Sequence, residues 1–336
     1  MIIMFDWLDS AWKAWDRWSQ RLPHAVLVDA PEGFGAFEFA RGIALSLLCE
    51  NPGTDRKPCG VCVACRWFGQ GSHPDFRLVV PESMTENPQA EGEESAKKGK
   101  RSEQVRIEQV RELADFLSVG THRGGHRVVL VYPADAMNAS TQNALLKSLE
   151  EPPPSTLFLL VTSQSDRLLA TVRSRCLRFS LPAPDPERVL RWLREQGVEH
   201  PEAALAAAGD SPLAALKAAA SDVDRRRFLD GLKAPRFDPI GLAESIQRIP
   251  VGDAVDWLQR WSYDLLLSKS GGASRYYPDR RSAMVEISGR CRSEDLCAYL
   301  RYLAQARALA RHPLNAKLFV EDLLLRYRRL IVGGDP

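Results

Sequence analysis

AVLVDAPEGFGAFEFARGIALSLL, residues 25 to 48, reads as a short apolar strand, a glycine-bearing turn and an apolar helix in direct succession. A phosphate-binding loop, G-x-x-x-x-G-K-S/T, occupies that place in nucleotide-binding proteins: backbone N–H groups and a lysine hold phosphates, and a hydroxyl holds Mg²⁺. Here Ala30 stands for the first glycine, Gly35 for the second, Ala36 for the lysine and Phe37 for the hydroxyl, with Gly33 inside the loop. The context is that of a phosphate loop and the chemistry is not. Helical spacing places Phe37, Ala40, Ile43, Ala44, Leu47 and Leu48 on the buried face of the helix.

Three more apolar runs have the length and branched content of buried parallel strands: FRLVV at 76–80, RVVLV at 127–131 and LFLLV at 157–161. Between the last two lies NASTQNALLKSLEEPPP, a helix with Leu145, Leu146 and Leu149 on one stripe, stopped by Pro152, Pro153 and Pro154. Strand, helix, strand is a βαβ unit, so the first part of the chain is α/β with a parallel sheet. Residues 82–103, ESMTENPQAEGEESAKKGKRSE, hold almost nothing that can be buried and read as a surface insertion. Beyond LFLLV the pattern turns helical. A shorter segment over 165–208 precedes the turn GDSP at 209–212, after which Trp257, Leu258, Trp261 and Leu265 form one stripe and Leu296, Tyr299, Leu300 and Leu303 another. The expected organisation is an α/β domain over 1–164, a small helical domain over 165–208 and a helical domain over 209–336.

The 336 residues are 45% hydrophobic and 26% charged, the composition of an ordinary globular chain. With 45 basic against 43 acidic side chains the formal charge is +2, so no global field points to nucleic acid or membrane, and such contacts have to be local. No apolar run reaches the roughly 18 residues a spanning helix needs, and the N-terminus lacks a basic leader with an apolar core. A cytoplasmic location is expected.

Seven cysteines are too few for a disulfide scaffold, and four crowd between 49 and 65. Cys59, Cys62 and Cys65 form C-x-x-C-x-x-C, and Cys49 lies ten residues upstream. Two-residue spacers let thiolates converge on one ion, and four thiolates complete the tetrahedron of structural Zn²⁺. An iron–sulfur run of the ferredoxin kind wants a fourth cysteine and a proline just after the third, whereas RWFG follows Cys65. His73 is the alternative fourth ligand. Four cysteines leave no open position for water, so the metal braces a loop. Cys176, Cys291 and Cys297 read as packed thiols, and His24 as a local structural residue.

RLPHAVLV, the altered phosphate loop, the cysteine cluster followed by GSHPDF, NALLKSLEEPPPSTLFLLVT, SRC at 174–176 and NAKLFVEDLLLRY occur in one order along nearly the whole chain. Together they resemble the AAA+ clamp-loader subunits of bacterial DNA polymerase III. The ATPase members of that family, gamma and tau, share the zinc module, the NALLK-x-LEEPP helix and SRC, and differ at the nucleotide site. In them the strand before that helix ends in Asp-Glu, where this chain has Tyr132 and Pro133. The resemblance therefore points to the family's delta-prime branch. It implies a RecA-like domain, a small lid, and a C-terminal collar for oligomerisation. It implies no ATP bound by this chain and gamma or tau and delta as ring neighbours, with the sliding clamp and primer-template DNA reached through the assembly. It also implies that Arg175 of SRC serves a neighbouring subunit's nucleotide, with Arg173 and Arg178 close enough to be confused with it. The other readings are an active ATPase with an unusual loop and a zinc-ribbon protein that binds nucleic acid by itself; the latter should show salt-dependent affinity for DNA.

Overall fold

The structure, a computed structural model, describes residues 5–18, 21–53, 56–85, 102–122, 125–234, 236–310 and 315–332. The chain divides into two compact units, Met1–Arg188 and Val189–Pro336.

The first unit is built on one parallel sheet in the order β2-β3-β4-β1-β5, from β1 (Ala25–Asp29), β2 (Phe76–Val79), β3 (Arg127–Val131), β4 (Thr156–Thr162) and β5 (Leu177–Ser180). This is the α/β, RecA-like architecture expected from the sequence. β3 and β4 are buried at every position because they lie inside the sheet with helices on its faces, which is why they are continuous apolar runs. β5 follows the expected boundary at 164, and its register against β1 pairs Val28 with Phe179. Its sequence LRFS buries Phe179 alone, so it carries no apolar run to announce it.

Five longer helices of this unit are α1 (Asp9–Trp18), α2 (Ala36–Leu48), α3 (Val63–Gly69), α4 (Ile107–Ser118) and α5 (Ala139–Glu150). α5 carries the expected stripe, with Leu145 and Leu149 in the core and Leu146 half-buried against it. α2 differs from expectation. Phe37 and Leu47 are only half-buried, while Phe39 and Leu45 are buried with Ala40, Ile43, Ala44 and Leu48. The reason is α1, whose tryptophans cover the far side of α2: Trp12 meets Phe39 edge-on with centroids 5.2 Å apart, and Trp15 meets Phe179 at 6.2 Å. A Cβ on Gly42 would sit 2.7 Å from Trp12 Cζ2, so the two helices approach at a point where only glycine fits.

Residues 86–101 of the expected insertion lie outside the described residues. The segments flanking it are tied together: the Ser83 N–H donates to the Ser102 carbonyl at 3.1 Å, and Arg106 pairs with Glu82 at 2.8 Å. Loop-closure entropy changes slowly with length, and the closure is already made at its base. Replacing 86–101 by a short Gly-Ser turn should therefore shift the melting temperature by no more than about 4 °C, an amount equivalent to roughly 1 kcal/mol. Thermal unfolding of the shortened chain checks this, and a larger fall would mean that the segment contributes contacts to the fold.

The described residues of the second unit are helical, its longest helices being Val251–Lys269, Ser293–Leu309 and Ala316–Val332. Both expected stripes face its core, with Leu300 half-buried at the margin of the second. The Trp261 indole N–H donates to the Tyr327 hydroxyl at 2.8 Å, which joins the first and last of these helices by a buried polar contact. No helix among the described residues is long and apolar enough to cross a membrane.

Candidate functional site

Three places in the first unit carry the chemistry that the sequence singles out. The first is the cysteine group. The sulfurs of Cys49, Cys59, Cys62 and Cys65 all lie within 4.8 Å of one another. Cys49 and Cys62 Sγ are 4.0 Å apart, and Cys59 and Cys65 Sγ 3.9 Å. Four sulfurs at about 2.3 Å from one Zn²⁺ have tetrahedral edges of about 3.8 Å. The thiols are free, and their separations are far longer than a disulfide's roughly 2 Å, so the group fits a four-coordinate metal. Local backbone aims N–H groups at the sulfurs: Cys59 donates to Cys49 Sγ at 3.3 Å, Cys62 to Cys59 Sγ at 3.4 Å and Cys65 to Cys62 Sγ at 3.4 Å. The backbone N–H groups of Val61 and Cys62 hold the Cys59 thiol down to about 6, whereas burial pushes the Cys49 and Cys65 thiols up, so these two would need the cation itself to give up their protons. Gly60, at φ 74°, makes the turn between Cys59 and Cys62 in the left-handed region. His73 stands outside this group, and its Nδ1 accepts the Asp75 N–H at 3.1 Å. Cys49 is thus the fourth member.

The second place is the loop into α2. Gly33 and Gly35 have φ of 80° and 89°, so a strand-to-helix turn of phosphate-loop shape is kept. Its surroundings are aromatic. The Trp7 indole N–H donates to the Phe34 carbonyl at 3.1 Å, and a Cβ on Gly35 would stand 3.1 Å from Phe5 Cδ2. Phe37, expected from sequence at the hydroxyl position, stacks on Tyr132, expected at the first acidic position, with centroids 4.5 Å apart and planes at 24°. Burial pushes the Tyr132 phenol up, with Glu38, Glu32 and Asp135 adding to the shift, so this oxygen keeps its proton at neutral pH. Arg41 lies over the Phe37 ring at 5.7 Å and over Phe68 of α3 at the same distance, linking the loop to the cysteine module. Ala36 completes the set with a methyl where a phosphate loop has an ammonium.

The third is the SRC segment. Gln142 of α5, fully buried, accepts the Leu169 N–H at 2.7 Å and donates to the Met137 carbonyl at 2.9 Å, which pins the chain just before the four-residue helix Ala170–Arg173. Three arginines then find three different carboxylates. Arg173 reaches Asp166 at 3.3 Å, Arg175 reaches Glu150 at 2.6 Å, and Arg178 on β5 pairs with Asp29 at the end of β1. Cys176 is half-buried against the core, and burial pushes its thiol up to about 11, where it is not a nucleophile at neutral pH. Neither Gln142 nor Glu150 was singled out from sequence, although both belong to the NALLKSLEE helix.

Residues 13–185 match the family described as DNA polymerase III, delta subunit. The DNA polymerase III subunit delta' of Pseudomonas aeruginosa is 32% identical, over 98% of this chain and 99% of its own. The chain belongs to the delta-prime family of DNA polymerase III subunits. Its Escherichia coli K12 relative of the same name is 30% identical over 93% of this chain and 90% of its own. The tau subunit of that bacterium is 33% identical over 55% of this chain and 26% of its own length. In this member of the delta-prime family the turn into α2 carries left-handed glycines at 33 and 35, and the stacked rings of Phe37 and Tyr132 lie beside it.

Proposed function

We propose that this chain is a non-hydrolysing clamp-loader subunit that, within DNA polymerase III in the cytoplasm, helps place the sliding clamp on primer-template DNA. The Phe37–Tyr132 stack carries the reading. Mg²⁺ takes a near-ideal octahedron of oxygens at about 2.0–2.1 Å. Two rings in contact at 4.5 Å stand where the hydroxyl and the first carboxylate would supply two of them. With Ala36 in place of the lysine and Pro133 in place of the second acid, phosphoryl transfer has neither its positioning nor its charge stabilisation.

Titration of the isolated chain with ATP should give no saturable Mg²⁺-dependent binding at millimolar nucleotide, and no turnover. Saturable, Mg²⁺-dependent binding accompanied by turnover would instead make the chain an ATPase with an unusual loop.

On this reading the turn survives as a fold element and the function is exerted on neighbours. Gamma or tau and delta flank the subunit in the ring, residues 209–336 serve as its collar and 165–208 as its lid. Zn²⁺ on Cys49, Cys59, Cys62 and Cys65 braces the segment between α2 and β2. Arg175 is the residue given to the adjacent ATPase subunit: a guanidinium supplied in trans offers a planar fork of donors to the charge that builds on a γ-phosphate. Membership of the delta-prime family and the place of Arg175 in SRC support that assignment.

A further inference from the structure

We propose that Glu150 is a positioning residue for Arg175, holding its guanidinium in the orientation from which it serves a neighbouring subunit; this rests on the role proposed for Arg175. Glu150 is the last residue of α5. A carboxylate there faces the negative end of the helix dipole, an unfavourable place unless a cation attends it. Arg175 is that cation: its Nη2 lies 2.6 Å from Glu150 Oε1, while its Nη1 donates to the Thr171 carbonyl at 2.9 Å. The two contacts come from different elements and take two of the five N–H donors that a guanidinium has, which fixes the plane of the fork.

The base of this arrangement is rigid. Leu145 and Leu149 anchor α5 in the core, and Gln142 ties the chain before Ala170–Arg173 to the same helix. The head is not enclosed: the side chains are 35% exposed for Arg175 and 48% for Glu150, so the guanidinium remains reachable from outside the chain. Orientation by a fixed acceptor reduces the rotamer freedom the arginine would otherwise lose on reaching a phosphate, and residues that act in a transition state gain from such preorganisation. The contact costs little to break, since exposed ion pairs are worth about 1 kcal/mol or less.

The test uses a reconstituted loader whose ATPase subunits carry lysine in place of their own SRC arginines, so that the remaining stimulated turnover depends on Arg175. Glu150→Ala should lower kcat about two- to fivefold, the range of an exposed ion pair, with the KM for ATP unchanged. Glu150→Gln, which still accepts through Oε1, should keep most of the rate, and the melting temperature of both variants should match the wild type. A merely structural pair would not separate alanine from glutamine in kcat while leaving stability alone. Glu150→Ala running at or above the wild-type rate would overturn the proposal and indicate that the carboxylate restrains Arg175 instead. Glu150→Gln as slow as Glu150→Ala would overturn it too, because a retained acceptor would not have oriented the fork. Arg175→Ala in the same background at the full rate would refute the role of Arg175 itself, and Glu150's with it.

Discussion

Arg175→Ala should lower the stimulated ATP hydrolysis of the assembled loader while leaving this chain's own fold as it was. Arg175 sits at the surface, and its ion pair with Glu150 is exposed, so its loss should cost no more than about 1 kcal/mol of stability. Its effect falls elsewhere. Arginines supplied in trans are worth about 10³ to 10⁵ in rate in GTPase systems, so the site that depends on Arg175 should nearly stop. The bulk rate should fall by less, because the other ATP sites of the ring continue to turn over. Arg175→Lys should rescue poorly, since one ammonium does not reproduce a planar fork of donors. Arg173→Ala and Arg178→Ala serve as comparisons, because those side chains lie close by in sequence and are likewise paired with carboxylates, Asp166 and Asp29. Steady-state ATPase and clamp-loading assays on matched assemblies decide the point. Equal rates for Arg175→Ala and wild type would leave this subunit a structural wedge, and a defect confined to Arg173→Ala or Arg178→Ala would move the role to that residue.

The second large effect concerns the metal. Purified chain should carry one equivalent of Zn²⁺, and either Cys49→Ala or Cys59→Ala should abolish stoichiometric zinc. Structural sites of this kind contribute about 10 to 16 kcal/mol of apparent binding free energy at neutral pH, and losing one thiolate of four removes much of it. The α/β core should nevertheless persist. One buried cluster among its described residues, running from Leu27 and Val129 to Leu145 and Phe158, includes none of the four cysteines. Hydrogen exchange should accordingly accelerate over 56–76 and stay slow in β3 and β4. Acidification should release the metal, because the ligands bind as thiolates and protons compete for them. Full zinc in Cys49→Ala would return the fourth position to another donor, of which His73 is the one considered from sequence. Absence of zinc from wild-type protein prepared without chelator would remove the site altogether.

Much of this architecture was readable residue by residue. β1, β3 and β4 announce themselves because burial on both faces demands continuous apolar runs, and the cysteine group because two-residue spacers have a chemical meaning that packing does not supply. β5 was not readable. An edge strand of four residues with Phe179 alone turned inward has no pattern to distinguish it from a loop. α1 did leave a signal, since Ala11, Trp12 and Trp15 share one face, but its consequence for α2 depends on where the chain folds back. At the site, the motif and the resemblance set Phe37 and Tyr132 each where a metal-binding residue is expected. That their rings lie against one another is a fact of three dimensions. So is the pairing of Glu150 with Arg175, which lie 25 positions apart and carry the commonest kind of surface charges.

If the chain is the non-hydrolysing subunit proposed above, the stack between Phe37 and Tyr132 also bears on whether nucleotide turnover can be regained. A return to nucleotide turnover would need a lysine at 36, a hydroxyl at 37 and acids at 132 and 133. Had the four sites decayed independently, each could revert without penalty and wait for the others. Here the first reversion at either ring strands its partner half-buried, forfeiting about 0.5 to 1.5 kcal/mol of aromatic contact while restoring no catalysis. An acid at 132 introduced first would replace a half-buried ring by a charge that has Glu38, Glu32 and Asp135 for neighbours and no cation yet to hold. A first step back at either ring runs uphill. On the proposed reading, two residues that support each other thus act as a ratchet, holding this chain to a role in which its neighbours turn over the nucleotide.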